Sequence, residues 1–222
     1  MTMADNINKK PIVIVAGTDF VTTNSDLISK AKALNTGRVC LCAGGIDGLP
    51  AYLSFAPQVF GIRLANPITY KLTNVLVNCT KPGKEWTYDD MVQLVKNGLV
   101  IFSATETGYR IKQGLTTYQD QVRQWNRNDN DTYLIRQRDL ADFFHIGIVR
   151  GMERDNINKF DVSKSDLMTW LIAAVQPYLA DGYISDYKIA SITSVDSGWI
   201  ITHDLRLPED KDFIGIITRI NI

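Results

Sequence analysis

The chain has no excess of charge and no long apolar run. Lys plus Arg and Asp plus Glu both number 24 in 222 residues, so the formal net charge is zero. No overall field therefore favours nucleic acid or an anionic membrane. Apolar stretches such as residues 12–16 and 99–102 fall far short of the ~20 residues that span a bilayer, and no signal-peptide pattern is present. We expect a soluble protein made in the cytoplasm, with no nucleic-acid partner and no membrane insertion.

Cysteine and histidine are also scarce. Of three cysteines, Cys40 and Cys42 would lie on the same face of a strand, and Cys79 is remote from both. We interpret them as buried thiols. His145 and His203 are isolated, and no paired Cys-x-x-Cys pattern accompanies them. The sequence therefore predicts no metal site and no cofactor.

No catalytic pattern stands out. The chain lacks a Gly-x-Ser-x-Gly elbow, and a serine or cysteine triad would need His145 or His203 as its base. His145 lies in an apolar helical stretch and His203 alternates with apolar residues, so both fit packed or interface imidazoles. We predict that the protein is not an enzyme.

One glycine-rich segment offers an alternative from another functional class. Gly44 to Gly48 follows a predicted strand and precedes a predicted helix, where backbone amides can hold a phosphate. It lacks the lysine of a P-loop and the spacing of a dinucleotide fingerprint. A tight turn explains the glycines, and a small nucleotide-binding protein or enzyme is the alternative.

The first half of the chain alternates predicted strands and helices. Residues 11–16, 39–43, 75–77 and 99–104 are strand-like, and helices are predicted at 24–34, at 50–64 and after Thr87. Pro57 should kink or divide the second helix. This order predicts a mixed α/β layer with a largely parallel sheet over residues 1–107.

The second half has a different order. A helix is predicted at 132–152, and a second begins at Ser163 with Asp166 as a capping box and is kinked or ended by Pro177. Strands at 184–195, 199–207 and 213–222 follow, the first two as a hairpin. The fold class is therefore α/β, with an α+β C-terminal subdomain over residues 108–222 that has two long helices and a C-terminal β-sheet.

Several residues are candidates for a subunit interface. The last predicted strand alternates apolar residues on one face, which predicts an edge strand able to pair with a neighbouring chain, although an internal strand has the same pattern. Tyr118 and Trp125 stand in or beside polar segments, where aromatic residues serve interfaces or anchor loops. Asp139 or Asp142 would pair with a neighbouring subunit, or Asp142 would form ion pairs along the helix with Arg136 and Arg138, or these residues remain solvated helix charges. The strand candidates are Phe213, Ile214, Ile216, Ile220 and Ile222.

Four motifs in a fixed order carry a family resemblance. Residues 112–118, Lys-Gln-Gly-Leu-Thr-Thr-Tyr, are similar to a "GITTY"-like segment. Upstream, Pro50 to Asn74 is similar to a helix followed by an "slTN" turn, and Tyr70 to Asn74 matches the turn. Downstream, Ile135-Arg136 to Asp142 matches the following helix. Residues 178–184 match a "YL-x-x-G-x-I" signature. Together, over residues 49–222, the chain resembles the C-terminal half of contractile bacteriophage tail sheath proteins.

The resemblance implies a structural role. Sheath subunits stack as rings around a tail tube and contract to drive the tube through the host envelope, without nucleotide or metal. It implies other sheath subunits and the tail tube protein as partners, and the virion as location after assembly in the host cytoplasm. Sheaths of contractile bacteriocins and secretion systems share these motifs. Because family members are longer and begin with an arm, we expect a fragment or a naturally short subunit that alone is a monomer or weak oligomer.

Overall fold

A computed structural model of the chain describes residues 14–18, 22–118, 134–155, 162–195, 198–207 and 213–221. They form five helices and nine strands. In chain order these are β1 (Ile14–Gly17), α1 (Asn24–Leu34), β2 (Val39–Cys42), α2 (Phe55–Ala65), β3 (Leu76–Val77), α3 (Tyr88–Lys96), β4 (Leu99–Val100), β5 (Phe102–Thr105), β6 (Gly108–Ile111), α4 (Ile135–Arg154), α5 (Lys164–Ala180), β7 (Asp186–Val195), β8 (Gly198–Arg206) and β9 (Phe213–Asn221).

The chain divides into two compact units. Unit 1 contains residues 1–125 and 131–139, and unit 2 contains residues 126–130 and 140–222. The division falls inside α4, so one helix supplies residues to both units. The sequence predicts a domain boundary after residue 107 instead, and that boundary remains a prediction.

Unit 1 contains the predicted parallel sheet. Its strand order is β1-β2-β4, and both pairings are parallel. Helices α1 and α3, which precede β2 and β4 in the chain, each begin at a local cap. The Thr23 hydroxyl accepts a hydrogen bond from the Asp26 amide, and Thr87 and Asp90 form a reciprocal capping box. The sequence predicted the cap at Thr87. For α1 it predicted Asn24, Ser25 or Asp26 as the cap, which is wrong, because the cap is the preceding residue, Thr23.

A second sheet in unit 1 differs from the prediction. β3, β6 and β5 form an antiparallel sheet in that order. The single strand predicted at 99–104 is therefore wrong: β4 joins the parallel sheet, Ile101 intervenes, and β5 joins the antiparallel one. A continuous apolar run does not reveal this change of sheet, since buried strands of either kind look alike in sequence.

Neither of the two helix prolines ends the helix that contains it. Pro57 is the third residue of α2, where backbone N–H groups have no intrahelical acceptor, so it neither kinks nor divides the helix. The helix instead begins later than predicted, at Phe55. Pro177 lies inside α5, which continues for three more residues to Ala180.

Unit 2 combines two helices with an antiparallel sheet. The Ser163 and Asp166 capping box starts α5 as predicted. The sheet has the order β7-β8-β9, with the predicted hairpin between the first two strands. Residues 196 and 197 of the hairpin turn lie outside the described residues.

Unit 1 has two apolar clusters, one on each side of the parallel sheet's central strand. Cys40 and Cys42 of β2 belong to the cluster that includes Phe55 and Phe102, whereas Leu41 belongs to the cluster that includes Leu27 and Leu94. Such alternation is expected of a strand covered on both faces. Among the helices described, none is long and apolar enough to cross a membrane.

Candidate functional site

The motifs of residues 70–74 and 112–118 meet in unit 1. A Cβ atom on Gly114 would lie 2.8 Å from the Leu72 Cβ atom, so only glycine permits this approach without displacement. The Asn74 amide donates to the Ile111 carbonyl, and the Ile135 amide donates to the Gly114 carbonyl. Segments that are distant in sequence are therefore joined by backbone contacts at this point.

Thr117 ties the same motif to the parallel sheet. Its amide donates to the Val39 carbonyl at 2.7 Å, and its hydroxyl bonds with the backbone of Thr36. Thr116 and Thr117 are completely buried, and Tyr118 is 8% exposed. The motif is therefore a structural junction. The burial of Tyr118 agrees with a loop anchor, and its role at an interface remains a prediction.

A buried ion pair holds the first turn of α4 in unit 1. Arg63 of α2 donates to both carboxylate oxygens of Asp139, with Nε to Oδ2 at 2.7 Å. Burial raises the pKa of Asp139, while the Arg63 and Arg38 guanidinium groups act in the opposite direction. Asp139 is thus neither a solvated charge nor dependent on another subunit for a partner, and that part of the prediction is wrong. Asp142, one turn further along α4, is also buried.

The residues 178–184 motif organises an aromatic cluster in unit 2. The Tyr178 ring lies 5.7 Å from Phe143, 5.2 Å from Phe144 and 6.4 Å from Tyr183 between ring centroids. A Cβ atom on Gly147 would lie 1.7 Å from the Tyr178 hydroxyl oxygen. Gly182 has φ +71°, and the Tyr183 and Ile184 amides donate to the Tyr178 carbonyl. The motif therefore closes α5 and fixes the tyrosine against α4.

The histidines are packed groups. His203 is fully buried, and its Nδ1 lies 3.2 Å from the Tyr187 hydroxyl oxygen. Burial, assisted by the charge of His145, lowers the pKa of His203 to about 4, and burial raises the pKa of Tyr187. A neutral His203 at physiological pH agrees with the packed-imidazole interpretation.

The predicted interface strand lies at a sheet edge. Among the described residues β9 pairs with β8 alone, and β8 lies between β7 and β9. The register places Ile214, Ile216 and Ile220 opposite Leu205, His203 and Trp199. Ile222 and Trp125 lie outside the described residues. The edge position of β9 is thus confirmed for the backbone, and the interface role of Phe213 and the isoleucines remains a prediction.

The glycine-rich segment forms a tight turn. A Cβ atom on Gly45 would lie 2.0 Å from the Leu49 carbonyl oxygen, and Gly44 and Gly48 have φ of +90° and +81°. The Ile46, Asp47 and Leu49 amides donate to carbonyls of the turn and of Lys81. These amides are already used by the protein, and α2 begins only at Phe55, so the tight-turn interpretation of the glycines is confirmed.

The cysteines have no metal-binding arrangement among themselves. The Sγ atoms of Cys40 and Cys42 lie 3.9 Å apart on one face of β2, and both side chains are completely buried. All three cysteines are free thiols. Burial raises the pKa of the Cys42 thiol. Within the described residues, no group of three metal-ligating side chains is present.

Sequence reasoning missed an exposed apolar helix face. Phe60 and Leu64 lie four residues apart on α2 and are 38% and 64% exposed, and Leu53, in the turn before the helix, is 57% exposed. The polar side chains of α2 are engaged, because Gln58 bonds with the Asn78 backbone and Arg63 with Asp139. The sequence predicts a helix at 50–64, but no periodicity of its apolar residues separates this exposed face from the buried one.

It also missed a groove in unit 2. The groove has a volume of about 840 Å³ and lies between α4 and α5, with Gly147, Gly151 and Ala174 in its wall and Arg150 at its margin. At one end the Trp170 indole donates to the Asp155 carboxylate at 2.9 Å. A hydrogen bond from Arg154, followed by that of Trp170, lowers the pKa of Asp155 to about 2. In the sequence, the only indication of this groove was the pair of glycines Gly147 and Gly151, which lie four residues apart on α4.

Neither the family models nor the curated proteins searched match this sequence. Solved structures do match its fold. A sheath tail protein from Desulfitobacterium hafniense aligns with a TM-score of 0.68 and 15% identity over 86% of this chain and 47% of that chain. The sheath tail protein Lin1278 from Listeria innocua gives 0.65 and 13%, over 84% and 47%.

A third structure, from the anti-feeding prophage baseplate, aligns with a TM-score of 0.52 and 13% identity over 85% of this chain and 52% of that chain. The chain therefore spans about half the length of the structures it matches. At these identities the likeness concerns the fold alone. The protein has the fold of tail sheath proteins.

Proposed function

We propose that this chain is a structural subunit, or a fragment of one, of a contractile bacteriophage tail sheath. The fold it has in common with the Desulfitobacterium and Listeria sheath tail proteins carries the proposal. In this role the subunit polymerises around the tail tube and contracts to drive it through the host envelope. Its partners are other sheath subunits and the tail tube protein.

The proposed location is the virion, after assembly in the host cytoplasm. A sheath of a contractile bacteriocin or secretion system would use the same fold, and the anti-feeding prophage structure keeps this version of the role open. The role requires no turnover. The buried histidines and the internally bonded Gly44–Gly48 turn agree with a structural protein.

The edge of β9 supports a specific assembly contact. An edge strand presents unpaired N–H and C=O groups along one side, which is a template for strand addition by another chain. We propose that β9, with Phe213, Ile214, Ile216, Ile220 and Ile222, contributes to the subunit interface. Tyr118 and Trp125 are secondary candidates.

A truncation tests this contact. Deleting residues 213–222 from the full-length sheath should abolish tubes in electron micrographs while leaving most of the far-ultraviolet circular dichroism, because β9 is held by β8 alone among the described residues. A Tyr88→Ala change, at a residue 76% exposed on α3, is the control and should leave tubes intact. Continuous tubes from the truncated protein would contradict the assignment of β9.

A further inference from the structure

A small pocket in unit 1 lies against strand β5. It has a volume of about 280 Å³, and three consecutive residues of β5, Phe102, Ser103 and Ala104, line it. Successive side chains of a strand point to opposite faces of the sheet. Tyr109 of the neighbouring strand β6 also lines the pocket, so it reaches from the outer edge of β5 over the face that Phe102, Ala104 and Tyr109 share.

This edge of β5 is open in the part of the chain that the structure describes. β5 pairs with β6 on one side, and the sheet order β3-β6-β5 places β5 at the end. Ala104 and Thr105 are exposed. The outer side of β5 thus offers backbone donors and acceptors directly beside the pocket.

The pocket carries an excess of positive charge. Lys84, Lys112 and the single carboxylate of Glu85 line it. Among the described residues, the Lys84 ammonium donates to Asn24 Oδ1 at 3.1 Å and to the Thr22 carbonyl at 3.4 Å, and it lies 4.5 Å from the Trp86 ring centroid. Its charge also helps to lower the pKa of Asp90, which does not line the pocket. Within the described residues the Lys112 ammonium has no hydrogen-bond or ion-pair partner. The pocket therefore favours a negatively charged group.

Two buried polar groups in the pocket wall lack partners. Trp86 Nε1 and Ser103 Oγ are shielded from solvent and have no hydrogen-bond partner among the described residues. An unsatisfied buried donor costs about 1–3 kcal/mol, and native proteins contain few of them. Because both atoms are shielded, an acceptor in the pocket reaches them only if the Trp86 or Ser103 side chain moves. Binding should consequently change the surroundings of the Trp86 indole.

We propose that the β5 edge and its pocket bind an extended segment of another polypeptide that carries an acidic side chain. The segment pairs with the backbone of β5, and its carboxylate accepts hydrogen bonds from Lys112 and from Trp86 or Ser103. The methylene groups of the acidic side chain pack on Phe102 and Tyr109, which also line the pocket. A pocket of this size accommodates one side chain and is smaller than the ~300–1,000 Å³ of sites for larger ligands. The proposal does not rest on the sheath function.

Nuclear magnetic resonance of the ¹⁵N-labelled 222-residue chain tests this site. The probe is a short capped peptide of alternating threonine and valine with a central glutamate, and the matched peptide has glutamine at that place. The chain has four tryptophans, and Trp86→Phe identifies the Trp86 indole signal. We expect the glutamate peptide to shift this signal and the β5 amides, and the glutamine peptide to bind at least about tenfold more weakly.

Variants separate the pocket from general surface charge. Lys112→Met should weaken the glutamate peptide about tenfold, and Ser103→Ala should weaken it without changing charge. Lys96→Met is the matched control, since Lys96 is exposed on α3 and does not line the pocket. Melting temperatures confirm that each variant is folded. The proposal is overturned if the Trp86 signal does not respond, if both peptides bind equally, or if Lys96→Met weakens binding as much as Lys112→Met.

Discussion

The two units hold their strands in different ways. In unit 1, β2 lies between two parallel partners, and Cys40, Leu41 and Cys42 are buried. In unit 2, β8 alone is central, and Ile192 is the one residue of β7 that is buried. Stability in unit 1 therefore comes from a sheet covered on both faces, whereas unit 2 depends on an aromatic cluster and on a sheet whose strand β7 is mostly exposed. The units therefore differ in how far their strands are buried and not in the number of open strand edges that each sheet has among the described residues.

The aromatic cluster of unit 2 should be its most sensitive point. Phe144 is fully buried, and its ring lies 5.2 Å from Tyr178, 5.8 Å from Tyr187 and 5.7 Å from His203. Phe144→Ala should lower the free energy of unfolding by about 3–5 kcal/mol, because it leaves a cavity. Urea unfolding measures the loss. Phe143→Ala, at a residue 39% exposed in the same cluster, should lose less than half as much, and equal losses would contradict the central place of Phe144.

In unit 1 the position most sensitive to substitution is Gly17, where the backbones of β1 and Tyr52 lie close together. A Cβ atom on Gly17, the last residue of β1, would lie 2.1 Å from the Tyr52 backbone nitrogen. Gly17→Ala should therefore cost about 3 kcal/mol, since backbone atoms must move. Gly61→Ala in α2 is the matched control: no atom lies within 4 Å of its Cβ position, and helix propensity predicts a gain of about 0.5–1 kcal/mol. Thermal unfolding should shift in opposite directions for the two variants, and a shift in the same direction would invalidate the packing argument at Gly17.

The pH dependence of unit 2 should follow His203. Its pKa falls from 6.5 to about 4 in the folded protein, so the folded state resists protonation. The contribution of His203 to the free energy of unfolding is therefore fully present above pH 6.5. It is lost as the pH falls toward 4, by at most about 3 kcal/mol. Denaturant unfolding at several pH values measures this slope. His203→Phe should flatten the slope in this window, and an unchanged slope would show that other groups cause it.

Local chemistry was predictable from sequence, and long-range partners were not. Thr87 with Asp90 and Ser163 with Asp166 lie three residues apart, so the residue types and their spacing are enough to indicate both capping boxes. Arg63 and Asp139 are separated by 76 residues, and no local pattern indicates their pairing. The same limit explains the division of 99–104 between two sheets, because the partner strands decide where each segment pairs.

The candidate site shows the same division. The motifs predicted where the important residues lie, but the contact between Gly114 and Leu72 and the burial of Tyr118 depend on tertiary packing. The edge position of β9 was one of two possibilities that its alternation allowed, and only the strand pairing distinguishes it from an internal strand. The apolar face of α2 had no such signal, since an exposed and a buried apolar face have the same composition.

The smallest predicted effects test whether the units unfold separately. Thr87 and Ser163 form equivalent capping boxes, on α3 in unit 1 and on α5 in unit 2. Thr87→Ala and Ser163→Ala should each cost about 1 kcal/mol, because each removes the acceptor for a helix N-terminal amide. Thr87→Ser and Ser163→Thr, which keep a hydroxyl at the cap, are the controls and should lose only a fraction of this free energy of unfolding.

Hydrogen exchange followed by mass spectrometry shows in which unit each capping variant loses stability. If the units are separate cooperative structures, Thr87→Ala accelerates exchange in α3 and the parallel sheet, and Ser163→Ala accelerates it in α5 and the β7-β8 hairpin. Faster exchange throughout the chain in both variants would mean instead that the long helix α4, which supplies residues to both units, makes them one cooperative structure.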